Sequence, residues 1–199
     1  MKLSRIFASM GLALALGGCS VGGMLGGGKA PTVLQTLTPE APEPGQIARN
    51  AGAGQAVTIA APSVQKELRT VRVPVQISPT DVQYMTNLQW VDTPDRLFQD
   101  LLSETVRRTT NRVVLNPGQS ALDPGVLVSG ELRRFGYDAQ SGQVVVQYDG
   151  ALSSAGGNQV QTRRFTAMAP ADGNAATVGP ALNRAANQVA LEVARWIGG

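Results

Sequence analysis

The sequence contains no histidine and only one cysteine, Cys19, among its 199 residues. Without histidine, neither a Ser-His-Asp nor a Cys-His catalytic arrangement can form, and ordinary zinc sites lose their usual ligands. A single cysteine forms no disulfide within the chain, so the fold depends on packing alone. Aromatic residues make up only 5% of the sequence, which offers no stacking platform for bases or sugars.

Two further catalytic patterns are missing. The glycine-rich stretch 22–28 has no Lys-Ser/Thr pair after it and no strand before it, as a phosphate-binding loop would require. The carboxylates are scattered rather than paired, which disfavours glycoside hydrolysis; they include Asp92, Asp95, Asp100, Glu104, Asp123, Glu131, Asp138 and Asp149. We therefore expect a protein that is not an enzyme and that uses neither a cofactor nor a metal.

The cysteine follows a short apolar run at the N-terminus. Lys2 and Arg5 precede the run 6–16, which is shorter than the roughly 18 residues needed to span a bilayer. A basic start, a short apolar core and small residues at its end are typical of a secretory signal peptide. An uncleaved membrane anchor is the alternative, and the same length argument disfavours it.

The residues around the cysteine resemble a bacterial lipobox. Leu16, Gly17, Gly18 and Cys19 match its four positions, which implies cleavage between Gly18 and Cys19 and acylation of Cys19. The acyl chains then hold the protein to a membrane, because each buried CH₂ contributes about 0.8 kcal/mol. Ser20 after the cysteine favours the periplasmic face of the outer membrane. The alternative is an ordinary signal peptide that leaves Cys19 as a free thiol.

Removal of residues 1–18 also changes the charge balance. Lys2 and Arg5 leave with the signal, so 15 of the 17 basic residues remain against 14 acidic ones. A net charge of about +1 provides no field of the kind that attracts nucleic acid, so we expect no nucleic-acid partner. Residues 19–54 are rich in Gly, Pro and Ala and are predicted to form a flexible tether, with the domain at 55–199. Folded structure beginning between Val33 and Leu37 is the alternative boundary.

The domain begins with short strands and one amphipathic helix. Strands are predicted over 56–62, 69–77, 82–85 and 112–116. Pro74 interrupts the alternation of the second strand, which indicates a sheet edge or a bulge. Thr93 and Pro94 form a helix start, and apolar residues recur at helical spacing from there to about Thr110.

Three long strands and a final helix follow. Alternating residues predict strands over 125–137, 143–152 and 158–168, joined by two hairpin connections. An apolar stripe among small alanines predicts a helix over 174–196. This order of elements predicts an α+β fold with two layers, in which two amphipathic helices cover one face of a mostly antiparallel sheet.

Two aromatic stretches are candidates for contact with a partner. Trp90 precedes the first helix, where packing against the helix start is the favoured interpretation and a partner contact the alternative. Strict alternation puts Glu131, Arg133, Phe135 and Tyr137 on one strand face. That mixed face is either a solvated surface or a contact with another subunit, so Trp90, Phe135 and Tyr137 are the candidate partner contacts and self-association remains open.

These stretches, taken in order, resemble the ABC-type transport auxiliary lipoprotein family. The matching positions are Trp90, Pro94, Leu97, Phe98, Leu101, Leu102, Gly130, Leu132, Phe135, Val144 and Val146. The lipobox agrees with this resemblance, which extends from about Val57 to Trp196. One departure is the segment 33–39, which keeps Leu and Pro but lacks the tyrosine common at the start of family members.

The resemblance implies a non-enzymatic periplasmic subunit, anchored to the outer membrane, of a lipid-transport system of the Mla or paraquat-inducible type. Its expected partner is a periplasmic MCE-domain protein that serves an ABC transporter, and its expected cargo is phospholipid or a related hydrophobic molecule. The alternatives are a structural or chaperone lipoprotein of an outer-membrane assembly, and a protein that itself binds lipid.

Overall fold

The structure is a computed structural model and describes residues 33–46, 48–123, 125–154 and 159–198, without the side chain of Leu122. The predicted signal peptide and the predicted cleavage and acylation site at Gly18 and Cys19 lie outside these ranges. The strands are β1 (Val57–Ile59), β2 (Ser63–Val64), β3 (Arg72–Gln76), β4 (Val82–Gln89), β5 (Val114–Leu115), β6 (Val126–Asp138), β7 (Gln143–Ser153) and β8 (Val160–Pro170). The helices are α1 (Pro94–Thr109) and α2 (Ala175–Gly198).

The long strand β6 organises the sheet. Along one edge it pairs with β7, which in turn pairs with β8, and both pairings are antiparallel as predicted. Along its other edge it pairs in succession with β1, β2 and β3, all of them parallel to it. The fold is therefore α+β with a mixed sheet, whose long strands are antiparallel and whose short strands add the parallel pairs.

Two of the short strands, β3 and β4, differ from their predictions. β3 lies between β4 and β6, so Pro74 is not on an edge strand. Its pairing with β4 shifts register between Arg72 and Pro74, which pair with Gln89 and Tyr84. The irregularity is therefore at the proline, but the extra residues lie on β4. β4 also continues to Gln89, beyond the predicted end at residue 85.

Helix α1 begins where its sequence predicts. Thr93 has extended backbone angles and Pro94 occupies the first turn, where a missing N–H breaks no helical hydrogen bond. The hydroxyl of Thr93 accepts no capping hydrogen bond from the helix amides, and it donates to Asp92 Oδ1 at 3.5 Å. The residues that this helix buries include Leu97, Phe98, Leu101, Leu102 and Val106.

Both helices cover the same face of the sheet. Tyr148 on β7 is 1% exposed, and its ring centroid lies 5.2 Å from that of Phe98 on α1. Tyr148 also stacks with Phe165 of β8 at 6.4 Å, and Phe165 lies 5.5 Å from Trp196 of α2. This row of rings joins α1, two strands and α2 across a single core, which confirms the predicted placement of the helices.

The first described residues pack on the domain. Gln35 forms a parallel bridge with Trp90, and Leu37 is only 9% exposed. Packed structure therefore begins well before residue 55 and fits the alternative boundary between Val33 and Leu37. The composition of 19–54 does not reveal this feature, because Leu37 is one of only a few large apolar residues in a segment rich in Gly, Pro and Ala.

Candidate interaction site

Two of the three candidate partner contacts are core residues. Trp90 and Phe135 are each 1% exposed, and their ring centroids lie 5.5 Å apart with the rings tilted by 58°. Tilted aromatic pairs at this distance are favourable beyond the area they bury. The indole N–H of Trp90 is buried and has no hydrogen-bond partner within the described residues. Neither side chain is accessible to a partner in this structure.

A β-bulge explains why Phe135 faces inward. Leu132 pairs with Tyr148 and Arg134 pairs with Gln147, so Arg133 is the extra residue. An extra residue shifts the alternation by one position, which turns Phe135 to the helix-covered face with Leu132. The predicted shared face of Glu131, Arg133, Phe135 and Tyr137 is therefore wrong.

Tyr137 keeps some exposure at the end of β6. It is partly buried against the core, and Val75 of β3 is its partner in the parallel ladder. Its ring lies beside Gly173, where φ is +70° and an added Cβ would come within 3.1 Å of the phenol oxygen. Of the three candidate contacts, Tyr137 alone retains exposed surface.

The outer face of the long strands carries a row of charges. Arg164 of β8 makes a bidentate pair with Asp149 of β7, at 2.6 and 2.7 Å. Arg133 lies 3.9 Å from the same carboxylate and 3.3 Å from Glu131. The hydrogen bond from Arg164 holds the pKa of Asp149 below its ordinary value. This face is solvated and balanced in sign, because each of these cations faces a carboxylate.

The N-terminal strap, residues 35–41, lies on the helix-covered side of the sheet, opposite the charged outer face. The amide of Gln35 donates to the carbonyl of Gln89, and its carbonyl accepts from the amide of Val91, both at 2.8 Å. Leu37 belongs to the same buried cluster as the helices. The strap is thus fixed to the end of β4 and runs from there along the helices.

Two asparagines of α2 hold the middle of the strap. Asn183 Oδ1 accepts from the amide of Thr38 at 2.8 Å, and Asn187 Oδ1 accepts from the amide of Glu40 at 2.8 Å. Asn187 Nδ2 also donates to the carbonyl of Thr38 at 2.9 Å, and Asn183 Nδ2 donates to Glu40 Oε1 at 3.2 Å. Asn187 is 7% exposed, so these bonds satisfy a buried amide.

Helix α1 supports the strap from the opposite side. Arg108 Nη1 donates to the carbonyl of Ala41 at 3.0 Å, while its Nε donates to Glu104 at 2.8 Å. The strap therefore lies in the groove between α1 and α2, with an arginine of α1 on one side and the two asparagines of α2 on the other. We call this feature the α1–α2 groove.

Beyond the strap, a cleft of about 1010 Å³ opens where both helices end. Four arginines line it, and three of them, Arg49, Arg108 and Arg112, donate to main-chain carbonyls. Arg108 is the residue that binds the strap at Ala41. Arg49 donates to the carbonyls of Arg107 and Arg112, and Arg112 donates to that of Ile197 at 3.4 Å. Cations at helix C-termini offset the negative end of the helix dipole, so these side chains act as caps. The fourth arginine is Arg195.

Within the described residues, no group of His, Cys, Asp and Glu is placed to hold a metal ion. No helix in this part of the chain is long and apolar enough to cross a membrane. Burial raises the pKa of Tyr148, whose hydroxyl donates to the carbonyl of Ser129 at 2.7 Å. The buried hydroxyl of Tyr148 is thus satisfied within the core. The two surface features described here are the α1–α2 groove and the charged outer face.

The structure is a small α+β domain in which two helices cover one face of a sheet. The N-terminal strap lies in the groove between these helices. Residues 36–194 match the model of the family described as ABC-type transport auxiliary lipoprotein component. Because the match covers most of the chain, the protein belongs to this family, as the resemblance implied.

Two solved structures share the fold, and a third is more distantly similar. A crystal structure of a Xanthomonas campestris protein of family DUF330 has a TM-score of 0.65 and 20% identity, and the match covers 85% of this chain and 94% of that one. An uncharacterized protein has a TM-score of 0.60 and 15% identity, over 83% and 99% of the chains. The PelC dodecamer of Paraburkholderia phytofirmans is more distant, with a TM-score of 0.45 and 14% identity over 77% and 96%. No curated protein matches at a significant level.

Proposed function

We propose that the protein is the lipid-anchored auxiliary subunit of an MCE-type ABC transport system, and that it docks the periplasmic MCE-domain component at the outer membrane. The observation that carries this proposal is the family match over residues 36–194, which begins 17 positions after Cys19, the last residue of the lipobox. A domain without histidine that follows an acylated cysteine is suited to binding and positioning rather than to chemistry.

Acylation of Cys19 is the anchoring step of this proposal. Cleavage after Gly18 leaves Cys19 as the first residue, and two or three acyl chains there bind a membrane almost permanently. Ser20 directs the protein to the outer membrane, so that the domain lies in the periplasm. Phospholipid or a related hydrophobic molecule is the proposed cargo of the transporter, and the proposed role of this subunit is to hold the MCE-domain component in place.

Docking to a partner requires accessible surface, and the buried pair Trp90 and Phe135 offers none in this structure. Tyr137 remains a candidate contact, and the charged outer face around Asp149 and Arg164 offers paired groups for a polar interface. Interfaces between transient partners resemble the rest of a protein surface in polarity, which fits a solvated face of this kind.

Affinity capture tests the proposal. The full-length protein with a C-terminal tag is expressed in its native host, solubilised with the envelope in mild detergent and captured, and the captured proteins are quantified by mass spectrometry. A periplasmic MCE-domain protein is expected, together with its permease or ATPase. Recovery of outer-membrane assembly components without any transporter subunit would favour the structural or chaperone role instead. A Cys19→Ala variant is the control for anchoring.

A further inference from the structure

The α1–α2 groove contacts its occupant mainly through main-chain atoms. The two asparagines and Arg108 bind the amides and carbonyls of Thr38, Glu40 and Ala41. Only two strap side chains take part in the contacts described above, namely Leu37 by burial and Glu40 through its carboxylate. Recognition of this kind depends on an extended backbone and one apolar anchor more than on a particular sequence.

The spacing of the asparagines matches an extended chain. Asn183 and Asn187 are four residues apart on a helix, which is about 6 Å at 1.5 Å per residue. Thr38 and Glu40 are two residues apart in an extended segment, which is about 6.6 Å at 3.3 Å per residue. Asn183 therefore binds the amide of Thr38 and Asn187 binds the amide of Glu40, two residues further on. The strap runs parallel to α2 in this register.

Proline at the intervening position fits the same geometry. In an extended segment the amides of residues 38 and 40 point to one side, and the amide position of residue 39 points to the other. Pro39 has no N–H to donate, so the groove loses no hydrogen bond at that position. Proline also restricts the unbound segment, which lowers the conformational entropy lost on docking.

We infer that the α1–α2 groove is a docking site for an extended, proline-containing peptide segment, and that the chain's own strap is its releasable occupant. The strap holds to the domain by one buried leucine and a short series of hydrogen bonds, whereas seven residues must be ordered to make them. The free energy gained from these contacts and the conformational entropy lost on ordering are similar in size, so the docked and released states differ little in free energy.

Release of the strap changes the reach of the lipid anchor; this consequence rests on the proposed function. With the strap docked, the first fixed residue is Gln35, 16 positions after Cys19. With it released, the next fixed residue is Arg49, 30 positions after Cys19, because its side chain is bonded to the carbonyls of Arg107 and Arg112. A flexible chain of those lengths has a root-mean-square span of roughly 20–24 Å or roughly 27–33 Å. Fully extended, the limits are about 55 Å and about 100 Å. The groove thus sets how far the domain stands from the membrane.

Cleavage by a glutamate-specific protease tests docking without any lipid. The mature chain carries Cys19→Ser, and the measured quantity is the rate of cutting after Glu40. Asn187→Ala removes two bonds to the strap and is expected to raise this rate about tenfold or more. Gln188→Ala is the matched control, since Gln188 is exposed and bonds to Glu192 instead; its rate is expected to stay at the wild-type value.

A strap-side variant leaves the helices intact. Thr38→Pro removes the amide that Asn183 accepts from, and Thr38→Ala keeps that amide and removes only the side chain. The proline variant is expected to be cut faster after Glu40 and to exchange amide hydrogens faster over 35–41, with protection in β6 to β8 unchanged. An unchanged rate in both Asn187→Ala and Thr38→Pro would overturn the inference. Loss of protection throughout the domain in Thr38→Pro would also overturn it, because the strap would then be an inseparable part of the core.

A supported bilayer tests the reach. Acylated full-length protein is bound to a phospholipid bilayer, and neutron reflectometry measures the distance between the bilayer and the protein layer. Thr38→Pro is expected to increase that distance by about 8 Å relative to Thr38→Ala. If the protein fails to anchor, the proposed function is contradicted while the protease result still decides docking. If it anchors but the distance is unchanged although the strap is released, control of the reach by the groove is overturned.

Discussion

Replacement of Leu37 by alanine separates a releasable strap from an ordinary core segment. Leu37 is 9% exposed, and burying a leucine side chain contributes about 2 kcal/mol. Seven hydrogen bonds fix the strap to β4 and the helices, and at about 1 kcal/mol each they bring the gain to about 9 kcal/mol. Ordering seven residues costs roughly 10 kcal/mol, so docking is close to balance.

This balance limits the effect of Leu37→Ala. Once the strap undocks, the rest of the domain keeps its core, so the loss of unfolding free energy is expected to stay below about 2 kcal/mol. Leu102→Ala on α1 is the comparison, because Leu102 is 1% exposed and a leucine-to-alanine change in a core costs about 2–5 kcal/mol. The segment around Leu102 cannot leave the core separately, so the cavity that Leu102→Ala creates remains in the folded protein.

Urea unfolding followed by circular dichroism measures both variants. Leu37→Ala is expected to have the higher midpoint of the two, with faster hydrogen exchange confined to the strap. A releasable strap is ruled out if Leu37→Ala loses as much unfolding free energy as Leu102→Ala and exchanges faster throughout the sheet, since the strap would then unfold only with the domain.

Two further predictions concern the sheet. Gly130→Ala would place a Cβ 2.2 Å from the carbonyl oxygen of Asp149 and 2.8 Å from the ring of Tyr148, so it is expected to lower the unfolding free energy by more than about 2 kcal/mol in urea titrations; Gly45→Ala, where no atom lies within 4 Å, is the control. The folded-state pKa of Asp149 is lowered, first by the hydrogen bond from Arg164, so its stabilising contribution is present above the unfolded pKa of about 3.9 and is lost as the pH falls through the folded pKa. The difference in melting temperature between wild type and Asp149→Asn is therefore expected to shrink between about pH 5 and pH 3, and a difference that grows on acidification would contradict the pairing.

Regular periodicity made the helices and long strands predictable. Thr93 and Pro94 mark the start of α1, and the alternation of Val144, Val146 and Tyr148 identifies the buried face of β7. In these elements the local pattern and the tertiary packing agree, which is the condition under which sequence periodicity is informative.

The bulge in β6 was not predictable from alternation. Arg133 is a single extra residue, and its neighbours Leu132 and Arg134 have no composition that marks a bulge. The apolar residues Leu132 and Phe135 are three apart rather than two, which is the one sequence signal that contradicts strict alternation. The register at this point is decided by pairing with β7, which the residues around Arg133 do not reveal by themselves.

The strap is hard to predict for a different reason. The sequence indicates folded structure at Leu37 only as an alternative start, because the hydrogen bonds that hold Thr38 and Glu40 come from Asn183 and Asn187, about 145 residues away along the chain. Asparagines on a helix are usually read as solvated residues, and only the docked strap gives them a binding role. The four-residue spacing of the two asparagines is the signal that sequence reasoning can use in related chains.

Affinity capture of the full-length protein from the envelope of its native host distinguishes a transporter subunit from other lipoproteins. We predict that an MCE-domain protein is enriched together with other subunits of an ABC transporter, and that Cys19→Ala abolishes recovery of the protein in the outer-membrane fraction. Capture without any subunit of a transporter, from a protein shown to be acylated at Cys19, would contradict it.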